Sequence, residues 1–263
     1  MADSHLPRSP FAGMADLGGP SPIRVLSSEE IAQMLASHRL YRETEYHEGH
    51  RADFSSVDLA GRNFSGLDLR GLKIDHAVLR GANFSGANLR GANLIGVIAE
   101  QARFDHADLS RARLSGANLV SASLEDAQLA KAEMEFALMA NVVLRHAYLG
   151  EADLSGAQLD LAALTGADLR KANMRGAGLR GVQLDEADLR NARLGGAFLV
   201  GALLRGADLR GAYLRLAKLD GADLSDANLE GTEGVTQVQL DLAHLNLGTK
   251  LPEGLTGVEN AKR

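Results

Sequence analysis

The sequence predicts an all-β fold, a four-sided parallel β-helix, and three observations carry this prediction. A large apolar residue, with one Ala exception, occupies every fifth position from Phe54 to Leu229, which makes 36 consecutive positions without an insertion or deletion. The residue two positions before each of them is Ala in 29 of the 36 cases. Some outward residues recur at an interval of 20, as Arg170, Arg190 and Arg210 do.

The interval of five excludes a helix and fits short strands. A helix turns by about 100° per residue, so residues five apart would lie about 140° from each other and spread over every face. In a strand, two inward residues separated by two positions share one face, and the remaining three positions turn a corner. Strands this short are stable only when stacked on others. The interval of 20 then predicts four sides per coil and about nine coils.

Small residues accompany each large one. The large residues, chiefly Leu, fill the axis, and Ala lets the backbone approach it without overpacking. Gly occupies 18 of the 36 corner positions, where a turn favours a residue without a side chain. Near the start, Arg62, Leu67 and Leu72 replace the inward Ala, which predicts that the first coils are wider or open towards a neighbouring element.

The segments before the repeats predict disorder followed by a helix. Residues 1–23 contain four of the five prolines and are expected to be disordered. Residues 24–51 contain a capping box at Ser27 and Glu30 and a stripe formed by Ile31, Met34, Leu35 and His38, which predicts a helix and a linker. This helix either covers the first coil or binds a partner.

The segment after the repeats, residues 232–263, predicts a second short helix and an extended end. Thr236 and Gln239 can begin a helix that runs to about Leu245, with Val238, Leu242 and Leu245 on one face. Because an open coil is a sheet edge that recruits other chains, a cap is expected here.

Individual repeats match a known motif. Ala87 to Gly91 reads Ala-Asn-Leu-Arg-Gly and Ala207 to Gly211 reads Ala-Asp-Leu-Arg-Gly. Residues 52–231 resemble the pentapeptide-repeat family, whose motif is A(D/N)LXX. The resemblance implies a right-handed, quadrilateral β-helix. It also implies a second role for the C-terminal segment, because some members use a C-terminal helix as a homodimer contact and others as a cap.

Composition and charge exclude several functional classes. The formal net charge of −6 argues against direct nucleic-acid binding, which needs an excess of Lys and Arg. The chain has no Cys, and no apolar run of the length of a membrane span or signal peptide, so a cytoplasmic protein is expected. A filled solenoid offers no recess for catalysis, so neither an enzyme nor a cofactor is expected.

One set of side chains has the composition of a metal site but the wrong spacing. His106, Asp126 and His146 are 20 residues apart and should form one outward column. The two His backbones would then be about 9.6 Å apart, too far for both side chains to reach one ion easily. We therefore expect a surface column and no metal site.

The candidate partner-binding residues form two surfaces. One side carries outward apolar residues where the motif usually has polar ones. These are Val78, Ile98, Val120, Leu138, Leu161, Phe198 and Val200. On another side, Arg170, Arg190 and Arg210 each follow an Asp by two residues, which predicts either a mixed-charge ladder or a surface for an acidic partner.

Two functions follow from these features. The first is a non-catalytic scaffold that binds an unidentified protein partner. The alternative comes from the resemblance: some family members mimic DNA, bind DNA gyrase and protect it from fluoroquinolones. Residues 51–231 contain 23 acidic and 21 basic side chains, so the rod is almost neutral, which argues against mimicry of DNA.

Overall fold

Parallel backbone pairing between residues 20 positions apart organises the chain. The computed structural model describes residues 23–257; residues 1–22, most of the segment expected to be disordered, lie outside the described residues. Bridges begin with Asp53 and Lys73 and continue in steps of five residues. Since each step is one side, four sides make a coil. We number the sides from the first coil: side 1 is 52–56, side 2 is 57–61, side 3 is 62–66 and side 4 is 67–71, each recurring every 20 residues.

The axis is filled by the residues that the five-residue period places inward. Every large axial residue from Phe54 to Leu229 is buried, as is almost every residue two positions before it. Phe64, Phe84 and Phe104 stack in one column, with ring centroids 4.8 and 5.1 Å apart. The core is therefore continuous along the rod, which leaves its outward side chains as the surface for recognition.

The last position of most sides turns the corner with a left-handed backbone. Gly81 is typical, with a φ of 62°. Where another residue stands at this corner, its side chain can lie over the glycine of the next coil, as Phe136 lies over Gly156. This conformation is unfavourable for L-residues by about 1–2 kcal/mol, so each such corner carries strain.

The N-terminal elements pack against the first coil. Strand β1 (Arg24–Val25) pairs in parallel with β2 (Val57–Asp58) on side 2. Helix α1 (Ser28–Glu43) begins at the capping box of Ser27 and buries Ile31 and His38, which belong to the predicted stripe. Arg62 donates a hydrogen bond to Ser28 Oγ at 2.9 Å, so one of the irregular early residues contacts the helix.

We expect the packing of α1 to weaken in acid because His38 is buried. Its Nδ1 accepts a hydrogen bond from the Ala52 N–H at 3.2 Å, which requires the neutral ring. Burial lowers the pKa of His38; Arg42 and Arg51 act in the same direction, whereas Asp68 opposes them. The unfolded chain therefore binds the proton more readily, and stability is lost as pH falls through the ordinary value of 6.5 towards the lower folded value.

Amide exchange of α1 as a function of pH, after correction for intrinsic rates, measures this effect. A His38→Gln variant should lose the acid-dependent opening, whereas an otherwise identical His106→Gln variant should keep it. An α1 that opens equally at both ends of this pH range would show that His38 is not responsible.

The C-terminal segment continues the parallel backbone pairing of the repeats, but two of its bridges depart from the spacing of 20 residues. Helix α2 (Gln237–Asp241) begins at a capping box of Thr236 and Gln239, and buries Leu240. It ends at Asp241 and not near Leu245 as expected, because the chain returns to backbone pairing when His244 bridges Asp223. Gln239 donates hydrogen bonds to the carbonyls of Leu214 and Ala217, which lie at the edge of the repeats.

Candidate functional site

The arginine row on side 4, formed by Arg170, Arg190 and Arg210, is already paired with aspartates of the same side. Arg170 donates to both carboxylate oxygens of Asp168, and it also lies 3.6 Å from Asp188 in the next coil. Arg190 and Arg210 repeat the pairing with Asp188 and Asp208. The hydrogen bonds from Arg170 hold the pKa of Asp168 below its ordinary value. The geometry is therefore that of the mixed-charge ladder, with guanidinium groups that already have partners.

The ladder is interrupted in the middle of side 4. Ala130 and Gly150 stand where neighbouring coils have larger residues, and they form the floor of an open depression of about 530 Å³. Tyr148 stands on one flank, and Lys131 and Lys171 stand on the other. A shallow open depression with these side chains can contact a polar group of a partner, and it does not enclose a small molecule.

His106, Asp126 and His146 lie at the same corner of three successive coils. His106 Nδ1 lies 3.6 Å from Asp126, whereas the ring of His146 lies over Gly166 in its next coil. Within residues 23–257, no three His, Asp or Glu side chains are arranged to hold a metal ion. The described helices also include none that is long and apolar enough to cross a membrane.

The predicted apolar surface is less uniform than the sequence suggested. Val78 is buried, with 9% exposure, because this short side chain lies between Asp58 and Ile98 in the neighbouring coils. Ile98 and Val120 are only partly exposed. The prediction that Val78 contributes to an exposed apolar side is therefore wrong.

The remaining four members of the apolar surface are exposed. Leu138 and Phe198 occupy the first outward column of side 2, Val200 occupies its second, and Leu161 stands at its far corner. Arg180 lies 4.9 Å above the ring of Phe198, so part of this ring is covered by a cation–π contact. Exposed apolar area is therefore concentrated around Leu138 and Leu161.

The predicted apolar side omits two exposed apolar residues at the corner between sides 1 and 2. Phe136 is 71% exposed at the corner that leads to Leu138, and Leu216 is 72% exposed at the same corner near the C-terminus. Both have a left-handed backbone, with φ of 57° and 62°. The signal was present in the sequence, since a bulky apolar residue replaces the glycine that favours this corner.

The C-terminal segment exposes further apolar side chains. Val238, Leu242 and Leu247 are exposed, and the first two line an open groove of about 460 Å³ that also includes Leu216. Of the predicted apolar face, Val238 and Leu242 are therefore exposed, whereas Leu245, which lies beyond α2, packs partly buried against the core. Within α2, Leu240 is the residue that packs on the rod. A homodimer contact through the C-terminal segment stays a prediction.

Comparisons with known proteins identify the repeat. A family model described as pentapeptide repeats matches in eight copies, and the matched ranges include residues 52–91, 73–111, 87–126, 107–145, 137–176, 183–221 and 197–233. A search of curated proteins found no match.

Three solved structures of repeat proteins are similar to the chain. HetL, involved in heterocyst differentiation regulation in the cyanobacterium Nostoc sp. strain PCC 7120, is 29% identical, with 83% of this chain and 98% of HetL covered and a TM-score of 0.45. A trypsin-treated variant of QnrB1, a plasmid-mediated fluoroquinolone resistance protein, is 25% identical, with coverages of 74% and 89% and a TM-score of 0.32. The protein alr5209, also from Nostoc, is 38% identical, with coverages of 40% and 84% and a TM-score of 0.35. The family model matches well over half of the sequence, and the chain belongs to the pentapeptide-repeat family.

Proposed function

We propose that this protein is a non-catalytic, cytoplasmic scaffold that binds a protein partner through the middle of the rod. In this proposal about nine right-handed coils form a rigid support, and α1 and α2 close its two ends. No cofactor or nucleic acid takes part. The observation that carries the proposal is a central patch formed by Phe136, Leu138 and Leu161, whose side chains are exposed on neighbouring coils.

Folding does not account for the central patch. Phe136 and Leu161 adopt left-handed backbone conformations, with φ of 57° and 61°, that glycine adopts at many other corners. Leu161 is 61% exposed, so its packing over Gly181 offsets little of the strain. Strained apolar residues that stay largely exposed and make few internal contacts are typical of contact surfaces.

The central patch supports this proposal more strongly than the arginine row does. Arg170, Arg190 and Arg210 would have to exchange an intramolecular carboxylate for one on the partner, which brings little net gain. The arginine row also lies on side 4, the face of the four-sided rod opposite side 2, so we place it outside the proposed interface. From there it would affect the association rate and its salt dependence more than the affinity.

We expect a Phe136→Gly, Leu161→Gly double variant to lose partner binding while it keeps its fold. Glycine relieves about 1–2 kcal/mol of left-handed strain at each corner, which offsets its greater entropy loss of about 0.5–1 kcal/mol. The melting temperature should therefore be unchanged or higher. Affinity capture from cell extract with mass spectrometry identifies the partner, and titration of that partner measures the loss.

The control is Leu216→Gly, which makes the same exchange at an equally exposed corner outside the central patch. It should bind the partner as the wild type does. Full binding by the double variant would overturn the assignment of this patch, and equal loss in both variants would assign the effect to the corners in general.

The alternative function is a DNA-mimicking binder of DNA gyrase or topoisomerase that protects against fluoroquinolones. Side 3 favours it, because its outward carboxylates outnumber its arginines. They are Asp105, Glu125, Asp126, Asp185, Glu186, Asp223 and Asp226, against Arg103, Arg145 and Arg205. A gyrase supercoiling assay separates the two functions: inhibition or drug protection near equimolar protein supports the alternative, and its absence at excess protein supports the scaffold.

A further inference from the structure

Three arginines on side 1 have no internal partner among residues 23–257. Elsewhere on this side an arginine pairs with the next coil, as Arg113 does with Glu133 at 3.3 Å. Arg175, Arg193 and Arg215 are exposed, and they take part in none of the ion pairs or side-chain hydrogen bonds of the described chain. Their charges are therefore available to a binding partner, unlike those of the arginine row on side 4.

The three arginines surround Gly195. Arg175 and Arg215 occupy the same outward column as Gly195, one coil before it and one coil after it. At a coil spacing of about 4.8 Å, the Cα atoms of these two arginines lie about 9.6 Å apart. Arg193 precedes Gly195 by two residues in the same strand, which places its Cα about 6.6 Å to the side. Long arginine side chains can therefore reach one group bound over Gly195 from three directions.

Gly195 leaves room for an aromatic ring at the centre of these arginines. Its φ lies outside the left-handed region, so the backbone does not require glycine at this outward position. A Cβ on Gly195 would lie 3.0 Å from Cε1 and 3.2 Å from Cδ1 of Tyr213. The missing side chain therefore lets the partly buried ring of Tyr213 lie against Gly195, with guanidinium groups around it.

The carboxylates of the described chain leave these arginines unneutralised. In the column of Arg193, the nearest carboxylates are those of Asp153 and Glu233, which lie two coils away in opposite directions. Asn173 and Tyr213 stand between them and Arg193. An anion that binds here therefore displaces no internal carboxylate, whereas an anion on side 4 would have to displace the aspartates of the arginine row.

An apolar groove begins at one of the three arginines. Arg215 and its neighbour Leu216 line the open groove of about 460 Å³ that also contains the exposed side chains of Val238 and Leu242. A polypeptide can carry an anionic group and an apolar side chain at nearby positions, so it can occupy both features. A free anion or a nucleic acid has no aliphatic group to fill the groove.

We propose that Arg175, Arg193 and Arg215, which we call the side 1 cluster, bind a phosphorylated segment of a protein partner, and that a nearby apolar side chain of this segment enters the groove. A phosphoryl group on a side chain carries a charge of about −1.5 to −2 and three acceptor oxygens, so several guanidinium groups can donate to it at once.

A single carboxylate fits the side 1 cluster less well than a phosphoryl group does. A carboxylate has one charge and two oxygens, and one arginine is enough to match it, as Arg170 does for Asp168. Three unpaired guanidinium groups around one position therefore favour the phosphoryl group. The side 1 cluster shares no residue with the central patch, so this inference does not rest on the proposed function.

A library of fluorescent phosphoserine peptides with degenerate flanking positions tests the proposal on the full-length protein. The same library with unmodified serine should bind at least about tenfold more weakly, because it lacks the group that the guanidinium groups hold. The recovered phosphopeptides should share an apolar residue at a fixed distance from the phosphoserine. Fluorescence anisotropy with the best of these phosphopeptides then gives its affinity.

Two double variants place the site on the rod. Arg175→Ala with Arg215→Ala should weaken binding of the recovered phosphopeptide at least about tenfold. The matched control is Arg170→Ala with Arg190→Ala, which removes two exposed arginines that already have aspartate partners, and it should bind as the wild type does. Both variants should melt close to the wild-type temperature, because the replaced side chains are exposed.

An NMR titration with the same phosphopeptide should shift the amide resonances of Gly195 and Tyr213 and leave that of Gly150 on side 4 unchanged. Equal binding of the two libraries, or equal losses in the two double variants, would overturn the proposal. Competition by inorganic phosphate at the concentration of the phosphopeptide would reduce the site to one for a free ion. Tighter binding of single-stranded oligo-dT, or of vesicles that contain phosphatidylinositol phosphate, would also contradict a phosphorylated protein segment.

Discussion

Replacing Leu144 by aspartate is expected to destabilise the rod by about 5 kcal/mol or more. Leu144 lies on the axis with no exposure, between Leu124 and Leu164 of the adjoining coils. The variant loses the apolar contacts of leucine and buries a carboxyl that has no partner on the axis. The effect is comparable to the whole stability of an ordinary domain, so chemical denaturation should show a large shift of the midpoint or a loss of the middle coils.

Two controls separate the charge from the cavity. Leu144→Asn introduces a side chain of nearly the same shape as aspartate but without its charge, so it should be less destabilising than Leu144→Asp at neutral pH. Burial raises the pKa of the new carboxyl above the ordinary value of about 3.9, so the folded variant binds its proton more readily, and its stability should fall as pH rises. Leu161→Asp makes the same exchange at an exposed leucine and should unfold like the wild type. Equal behaviour of Leu144→Asp and Leu161→Asp would refute the five-residue register.

The axis could be predicted from sequence because a single physical requirement determines it. A side of five residues has two inward positions, and any polar residue there would be buried. The apolar residues at these positions, such as Leu144, therefore indicate which residues of each side point inward. Outward positions obey no such requirement. Val78 and Leu138 occupy the same column, yet the short valine is covered by its neighbours and the longer leucine extends beyond them.

The ends of the rod were the least predictable part of the fold. The pattern from Val238 to Leu245 fits a helix. Apolar periodicity alone, however, does not tell whether a segment forms a helix or pairs its backbone with a free edge of the rod. In the structure His244 pairs with the free edge at Asp223, and α2 ends after five residues. Phe136 shows the converse case for the candidate site: its corner position was readable from the repeat, but it is the last residue of a side 1, whereas the predicted apolar residues all belong to side 2.

The second large effect is expected at Phe84, the centre of the aromatic column. Its ring stacks on Phe64 at 4.8 Å and on Phe104 at 5.1 Å, with interplanar angles of 13° and 5°. Phe84→Ala removes a fully buried ring and both stacking contacts, and should lower the free energy of unfolding by about 3–5 kcal/mol. Phe84→Leu introduces the residue used along most of the axis and should lower it by about 1–2 kcal/mol. Urea denaturation measures both values.

Stacking and simple volume can be separated within the same column. Leu184 occupies this column in a later coil, so Leu184→Ala gives the loss expected for a side chain without aromatic partners, about 2–5 kcal/mol. A double-mutant cycle of Phe64→Leu and Phe84→Leu should show a coupling of about 0.5–1.5 kcal/mol. Additive effects would mean that the rings act only by filling the axis. A measured coupling would mean that the aromatic column stabilises the coils nearest α1 by stacking as well, at the end where Leu67 leaves the core partly open.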